Sequence, residues 1–174
     1  IKAIILDKTG TLTQGRPSVT DILSAVKIEN NENEILKIAA SLEQRSEHSL
    51  GKAIIEKAKE EKLELFEVFD FEAVPGKGIK GNLLDRGKKI SAALGNREML
   101  KVLNLDIKEM EPEIQRHEND GKTVMILTWN NQVAGLIAVA DTLKPEAKEA
   151  VKKLKETGLE IWMITGDNER TARA

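Results

Sequence analysis

Near the start of the chain, Asp7-Lys8-Thr9-Gly10-Thr11-Leu12-Thr13 follows the apolar run Ala3-Ile4-Ile5-Leu6. A short apolar run ending in a polar, glycine-containing turn has the pattern of a strand buried on both faces of a parallel sheet. Asp7 then stands at the carboxyl end of that strand, where open α/β sheets bind ligands. An aspartate so placed can attack phosphorus and carry a covalent aspartyl-phosphate. Lys8 adds positive charge, while Thr9, Gly10 and Thr11 add hydroxyls and approachable backbone amides that donate to phosphate oxygens. For a single Asp, a cap on a threonine-rich turn is the plainer alternative. Seven consecutive residues of this kind behind an apolar strand favour the chemistry. The same design recurs at Ile161-Trp162-Met163-Ile164, followed by Thr165-Gly166-Asp167-Asn168.

The elements that must position these turns follow from periodicity. Residues 14–21, with Gly15 and Pro17, read as a connector, and Val19, Ile22 and Val26 begin a strand in the next unit. Asn30, Asn31 and Asn33 offer caps for a helix over 34–41, striped by Ile35, Leu36, Ile38, Ala39 and Leu42. A second helix is predicted over 49–62, after the polar junction 43–48. Strands follow over 79–84 and 89–94, turning at Asp85-Arg86-Gly87, and Asn96 caps a helix over 97–103. A helix within 106–120 is limited by Pro112. Residues 124–129 and 133–139 form a hairpin around Asn130-Asn131, and Pro145 opens a last helix that Gly158 stops. The economical assembly puts both apolar strands in one parallel sheet, built from residues 1–18 and 140–174. Residues 19–139 form an α+β insert with a mainly antiparallel sheet flanked by helices, and segments 15–19 and 139–142 act as hinges.

Composition narrows the function. A net charge of −2 and 3% aromatics give no general attraction to nucleic acid and little for base stacking. No apolar run approaches the roughly 20 residues of a membrane helix. With no cysteine, two histidines and four scattered methionines, the chain offers no direct transition-metal site.

The segment at residues 7–13 resembles the phosphorylation motif of the P-type ATPases, membrane pumps of the haloacid-dehalogenase-like superfamily. The resemblance implies a partial haloacid-dehalogenase-like, Rossmann-like parallel sheet interrupted by a nucleotide-binding domain. It implies that Asp7 accepts the γ-phosphoryl of ATP and, with the main-chain carbonyl of Thr9, binds Mg²⁺. Lys8, Thr165, Gly166 and Asp167 would complete the catalytic group, and Asp141-Thr142-Leu143-Lys144-Pro145 resembles the hinge segment that brings Asp141 near it.

Ser46-Glu47-His48-Ser49-Leu50 resembles the SEHPL motif of heavy-metal pumps, copper pumps especially. It implies that His48 orients the adenine and Glu43 contacts it. Gly76-Lys77-Gly78-Ile79-Lys80-Gly81 fits GxGxxG but follows Pro75 and leads into a strand, so it fails as a dinucleotide fingerprint. In heavy-metal pumps a GxG at this place lets backbone approach the nucleotide, which implies Gly76 and Gly78, with Gly81 completing the run. Asn96, in a GNRxWM-like stretch, would line the adenine site while capping its helix.

Two departures stand out. Ser49 replaces the usual proline, and the chain lacks the lysine and GDGxND motif that follow in relatives, so this piece is expected to bind ATP but turn it over poorly. Its implied partners are ATP and the actuator and transmembrane domains of a cytoplasm-facing pump. Two rivals are a stand-alone phosphatase, which would place an acid where Thr9 stands, and an inert nucleotide-binding module.

Overall fold

A computed structural model describes residues 2–25, 32–46 and 48–166. Strand β1 (Ala3–Asp7) leads through a kinked turn over residues 8–12 into β2 (Thr13–Ser24). Helices α1 (Glu32–Glu43) and α2 (Ser49–Glu60) precede β3 (Val68–Val74), β4 (Gly78–Asp85) and β5 (Lys88–Gly95). Next come α3 (Arg97–Val102), α4 (Glu111–Asn119), β6 (Thr123–Trp129) and β7 (Gln132–Leu143). Helix α5 (Ala147–Glu156) and β8 (Glu160–Ile164) complete the described elements.

Strands β1 and β8 pair in parallel, with Asp7 opposite Ile164. The other strands form an antiparallel sheet in the order β2-β7-β6-β5-β4-β3. This is the α/β architecture expected from the sequence: a parallel pair whose two members enclose an α+β insert. Local chemistry explains the meander. Arg86-Gly87 and Asn130-Asn131 all adopt positive φ, the requirement of the tight turns whose twist matches flanking antiparallel strands.

Side-chain alternation gives the six-stranded sheet two apolar faces. On one, Ile35, Leu36, Ile38, Leu42 and Ile54 of α1 and α2 pack on Leu83, Leu94, Leu127 and Ile137. On the other, Leu100 of α3 and Ile114 of α4 pack on Val124, Ile126 and Leu136. Gly135 on β7 leaves room for close approach: a Cβ there would lie 2.2 Å from the Leu23 carbonyl and 2.7 Å from Ile35.

Three expectations need correction. The predicted connector over 14–21 is strand: β2 begins at Thr13 and pairs with β7 as far as Leu143. Pro17 is tolerated because β2 is an edge strand and the register shifts between Thr13 and Pro17. The predicted hinges therefore lie within one paired ribbon. Second, β1 is not buried on both faces. Ile5 is 69% exposed and Trp162 61%, because among the described residues β1 and β8 pair only with each other. Third, Asn33 lies inside the first turn of α1, which starts at Glu32. Val26, Asn30 and Asn31 fall outside the described residues.

Candidate functional site

The parallel register brings the two polar turns side by side. Asp7 is the last residue of β1 and pairs with Ile164, so Thr165 and Gly166 leave the sheet beside it. Asp167 lies outside the described residues. Asp7 is exposed and Lys8 and Thr165 are half-buried.

What holds the turn is a knot of long-range polar contacts. Gly10 takes φ 78°, a conformation that glycine adopts without steric cost. The buried Thr13 hydroxyl accepts from the Gly10 amide at 3.2 Å and donates to Asp141 Oδ2 at 2.6 Å. Asp141 Oδ1 accepts from the Gly15 amide at 3.0 Å, and Lys144 Nζ donates to the Gly10 carbonyl at 2.7 Å. Asp141 thus acts on the turn by position, through Thr13. The Lys144 contact spans 134 positions, so no local pattern in the sequence announces it.

A second constellation lies at one end of the six-stranded sheet, in a cleft of about 420 Å³. It gathers Glu43, Ser46 and His48 from the α1–α2 junction, Gly76 and Gly78 from the β3–β4 turn, and Asn96 from the end of β5. Four separate stretches of sequence meet there, the fourth being Thr123-Val124-Met125 at the start of β6. Glu47 lies outside the described residues. Gly81 does not line this cleft: a Cβ there would meet Val68, the Phe69 carbonyl and Leu42, so its smallness serves packing under α1.

Each wall has a local cause. His48 caps α2, its Nδ1 accepting from the Leu50 amide at 3.3 Å, which leaves Nε2 to carry the ring proton. The helix begins at Ser49 without the proline of similar motifs. Asn96 caps α3, its Oδ1 accepting from the Glu98 and Met99 amides, while its Nδ2 donates to the Gly76 carbonyl at 2.9 Å. The cap therefore also pins the glycine turn. At Gly78 (φ 148°) a Cβ would lie 2.2 Å from the Leu94 carbonyl, so only glycine lets β4 and β5 close this wall.

Glu43 is the unusual member. It ends α1, is 2% exposed, and its Oε2 has no hydrogen-bond partner. Burial pushes its pKa up, opposed by a hydrogen bond from the Ser46 side chain and by nearby His48. A buried carboxylate with an unused acceptor, lining a cleft, is suited to receive N–H groups of a ligand. Sequence reading missed the apolar lining, Leu50, Val74, Ile79, Leu94 and Met125. All but Met125 fall in or beside the motifs described above, which was the available signal.

Comparison with known proteins now bears on the class. The haloacid dehalogenase-like hydrolase family matches residues 1–174, and the chain belongs to that family. Within it, the chain is 42% identical over 174 residues to a copper-exporting P-type ATPase of Staphylococcus saprophyticus. It is 45% identical over 171 residues to a copper-transporting P-type ATPase of Rhizobium leguminosarum bv. viciae. It covers 100% and 98% of itself in these matches and 20% of each relative's length. Among solved structures, a zinc-transporting PIB-type ATPase in an E2.Pi state superposes with TM-score 0.87 at 32% identity, over 100% of this chain and 27% of that one. The catalytic domain of a CPx-ATPase, described for its conformational changes upon nucleotide binding, gives 0.62 at 28% identity, over 99% and 57%.

Proposed function

We propose that this chain is the cytoplasmic nucleotide-binding and phosphoryl-accepting part of a heavy-metal P-type ATPase, with copper export as the parent activity. The observation that carries this reading is the cleft, which joins Glu43, His48, Gly76, Gly78 and Asn96 in a chain whose Asp7 turn adjoins Thr165 and Gly166.

In this reading the adenine enters the cleft between the apolar side chains. The Glu43 carboxylate accepts from its amino group, and His48 presents a ring face and its Nε2–H. The glycine turn lets backbone approach the nucleotide where a side chain would obstruct it. Asp7 Oδ then attacks the γ-phosphorus: the new O–P bond forms as the bond to the β-phosphate oxygen breaks, releasing ADP and leaving aspartyl-phosphate. Lys8, the backbone amides of the turn, Thr165 and Gly166 stabilise charge on the transferring group, and Asp141 keeps the turn in place through Thr13.

The Asp7 carboxylate and the Thr9 carbonyl are hard oxygen donors on an exposed turn. Such a sparse set fits Mg²⁺, which keeps several waters and is shared with substrate phosphates. When bound, Mg²⁺ supplies neutralisation of phosphate charge. Among the described residues no cluster of three or more His, Cys, Asp or Glu offers a transition-metal site. The transported ion, the actuator and the membrane segments belong to the remainder of the pump. No described helix is long and apolar enough to cross a membrane.

The test is calorimetric titration with ATP and GTP, using His48→Ala as comparison. ATP is expected to bind in the micromolar to millimolar range, about 4–8 kcal/mol, more tightly than GTP, and His48→Ala to weaken it about tenfold. Equal binding of both nucleotides with no effect of His48→Ala would remove the adenine assignment and favour a stand-alone phosphatase.

A further inference from the structure

The turn between β3 and β4 sets a lysine between two glycines, Gly76-Lys77-Gly78. Its backbone is tied down on both sides. The Lys77 amide donates to the Val74 carbonyl at 3.0 Å, and the Lys77 carbonyl accepts from the Asn96 amide at 2.9 Å. Among the described residues that line the cleft, Lys77 is the one lysine or arginine. It is half-buried. Its charge reaches the Glu98 carboxylate in the first turn of α3, but Glu98 pairs with Lys101 at 2.6 Å. Lys77 makes no ion pair with a described residue. A cation kept beside a cleft without a counter-charge suits a ligand that brings the anion itself.

The place of the cleft gives that anion a direction. Thr123, on its lining, pairs with Val139, and β7 runs on from there to Leu143, opposite Thr13. The cleft thus lies at the end of the antiparallel sheet from which the chain returns to the Asp7 turn.

We propose that Lys77 is a specificity-determining residue that holds the α- and β-phosphates of the nucleotide and so grades ligands by their phosphate chain, independently of the base. The inference rests on the nucleotide reading above and adds the group that tells a nucleoside polyphosphate from a nucleoside. Gly76 and Gly78 admit the ligand but carry no charge to balance it. A lysine offers a compact charge with three donors, which suits neighbouring phosphate oxygens. The inner phosphates are assigned because the γ-phosphate must stay free to meet Asp7, whereas Lys77 is anchored to the turn that Asn96 holds.

The experiment is titration of the chain with ATP, ADP and adenosine, followed by amide NMR shifts, for the wild type, Lys77→Met, Lys77→Arg and His48→Ala. Methionine keeps an unbranched apolar stem and removes the charge. Thermal unfolding of Lys77→Met is expected to match the wild type, since Lys77 belongs to neither core. Lys77→Met is expected to weaken ATP and ADP alike, about three- to tenfold for a partly exposed charged contact, and to leave adenosine unchanged. Lys77→Arg should restore most of the loss, and added salt should weaken ATP less in Lys77→Met than in the wild type.

An unchanged ATP affinity in Lys77→Met overturns the proposal. So does an equal loss for adenosine, which reports a change in the shape of the turn. A loss for ATP that ADP does not share overturns it as well, since the cation then meets the γ-phosphate. The base site fails by a different result. If His48→Ala binds adenosine as the wild type does while Lys77→Met still loses ATP and ADP, the base assignment falls and the phosphate contact stands.

Discussion

The two sheets handle apolar surface in opposite ways. The six-stranded sheet has helices on both faces and buries Leu36, Ile54, Leu94 and Leu127 almost completely. The parallel pair β1–β8 carries the residues with the most direct chemistry, yet Ile5, Trp162 and Ile164 stand largely exposed beside them. The turn that follows Asp7 is therefore held less by packing than by polar contacts that reach across the chain, chiefly Asp141 with Thr13 and Lys144 with Gly10. The cleft proposed for the nucleotide, by contrast, sits at the end of a well-packed sheet. Stability and the proposed phosphoryl chemistry thus belong to different regions, and each can be perturbed separately.

The largest expected effect separates the two cores. Ile54→Ala should cost about 2–5 kcal/mol by opening a cavity in a filled interior, whereas Ile5→Ala should stay within about 0.5 kcal/mol as a surface change. Urea unfolding of both variants checks this, and equal losses would erase the distinction. Next in size, Thr13→Val keeps the shape but strips the hydroxyl that links Gly10 to Asp141, for about 1–3 kcal/mol of unpaired polar groups. Hydrogen exchange at the Gly10 amide should quicken; unchanged exchange would mean that the turn holds by other means.

Glu43→Gln sharpens the comparison within the cleft. Burial raises the Glu43 pKa above the ordinary glutamate value of 4.5, so the native state holds this proton more tightly than the unfolded chain does. Stability from this group is fully present below that ordinary value and is lost as pH rises through the folded pKa. The Gln variant, which cannot ionise, should therefore be the more stable chain at neutral pH, with its advantage shrinking as pH falls through the raised folded pKa and gone below 4.5. Thermal unfolding across that range tests the sign. The smallest effect is expected at Trp162→Gln: stability changes within about 0.5 kcal/mol, while sedimentation should show less self-association as an exposed apolar patch is removed.

Much of this molecule was legible in the sequence because its signals are local. The hairpin at Asn130-Asn131, the cap at Asn96 and the stripe of α1 each depend on neighbours a few residues away, and the repeated strand-and-turn design foretold the β1–β8 pair. Features that depend on distant contacts were not legible. Thr13 and Asp141 are 128 positions apart, Gly81 serves Leu42 and not the cleft, and the strand character of residues 14–21 comes from pairing with β7 despite Gly15 and Pro17.

The two histidines provide the most direct test, since one lines the cleft and the other, His117, is 2% exposed near Asp21 on the far side of the sheet. Proton–nitrogen NMR of the imidazole rings can follow both during an ATP titration. The account predicts that the His48 ring resonances move saturably with ATP and much less with GTP, while those of His117 stay in place. Movement of His117 with a static His48, or no movement of either while ATP binds by calorimetry, would contradict the placement of the nucleotide in this cleft.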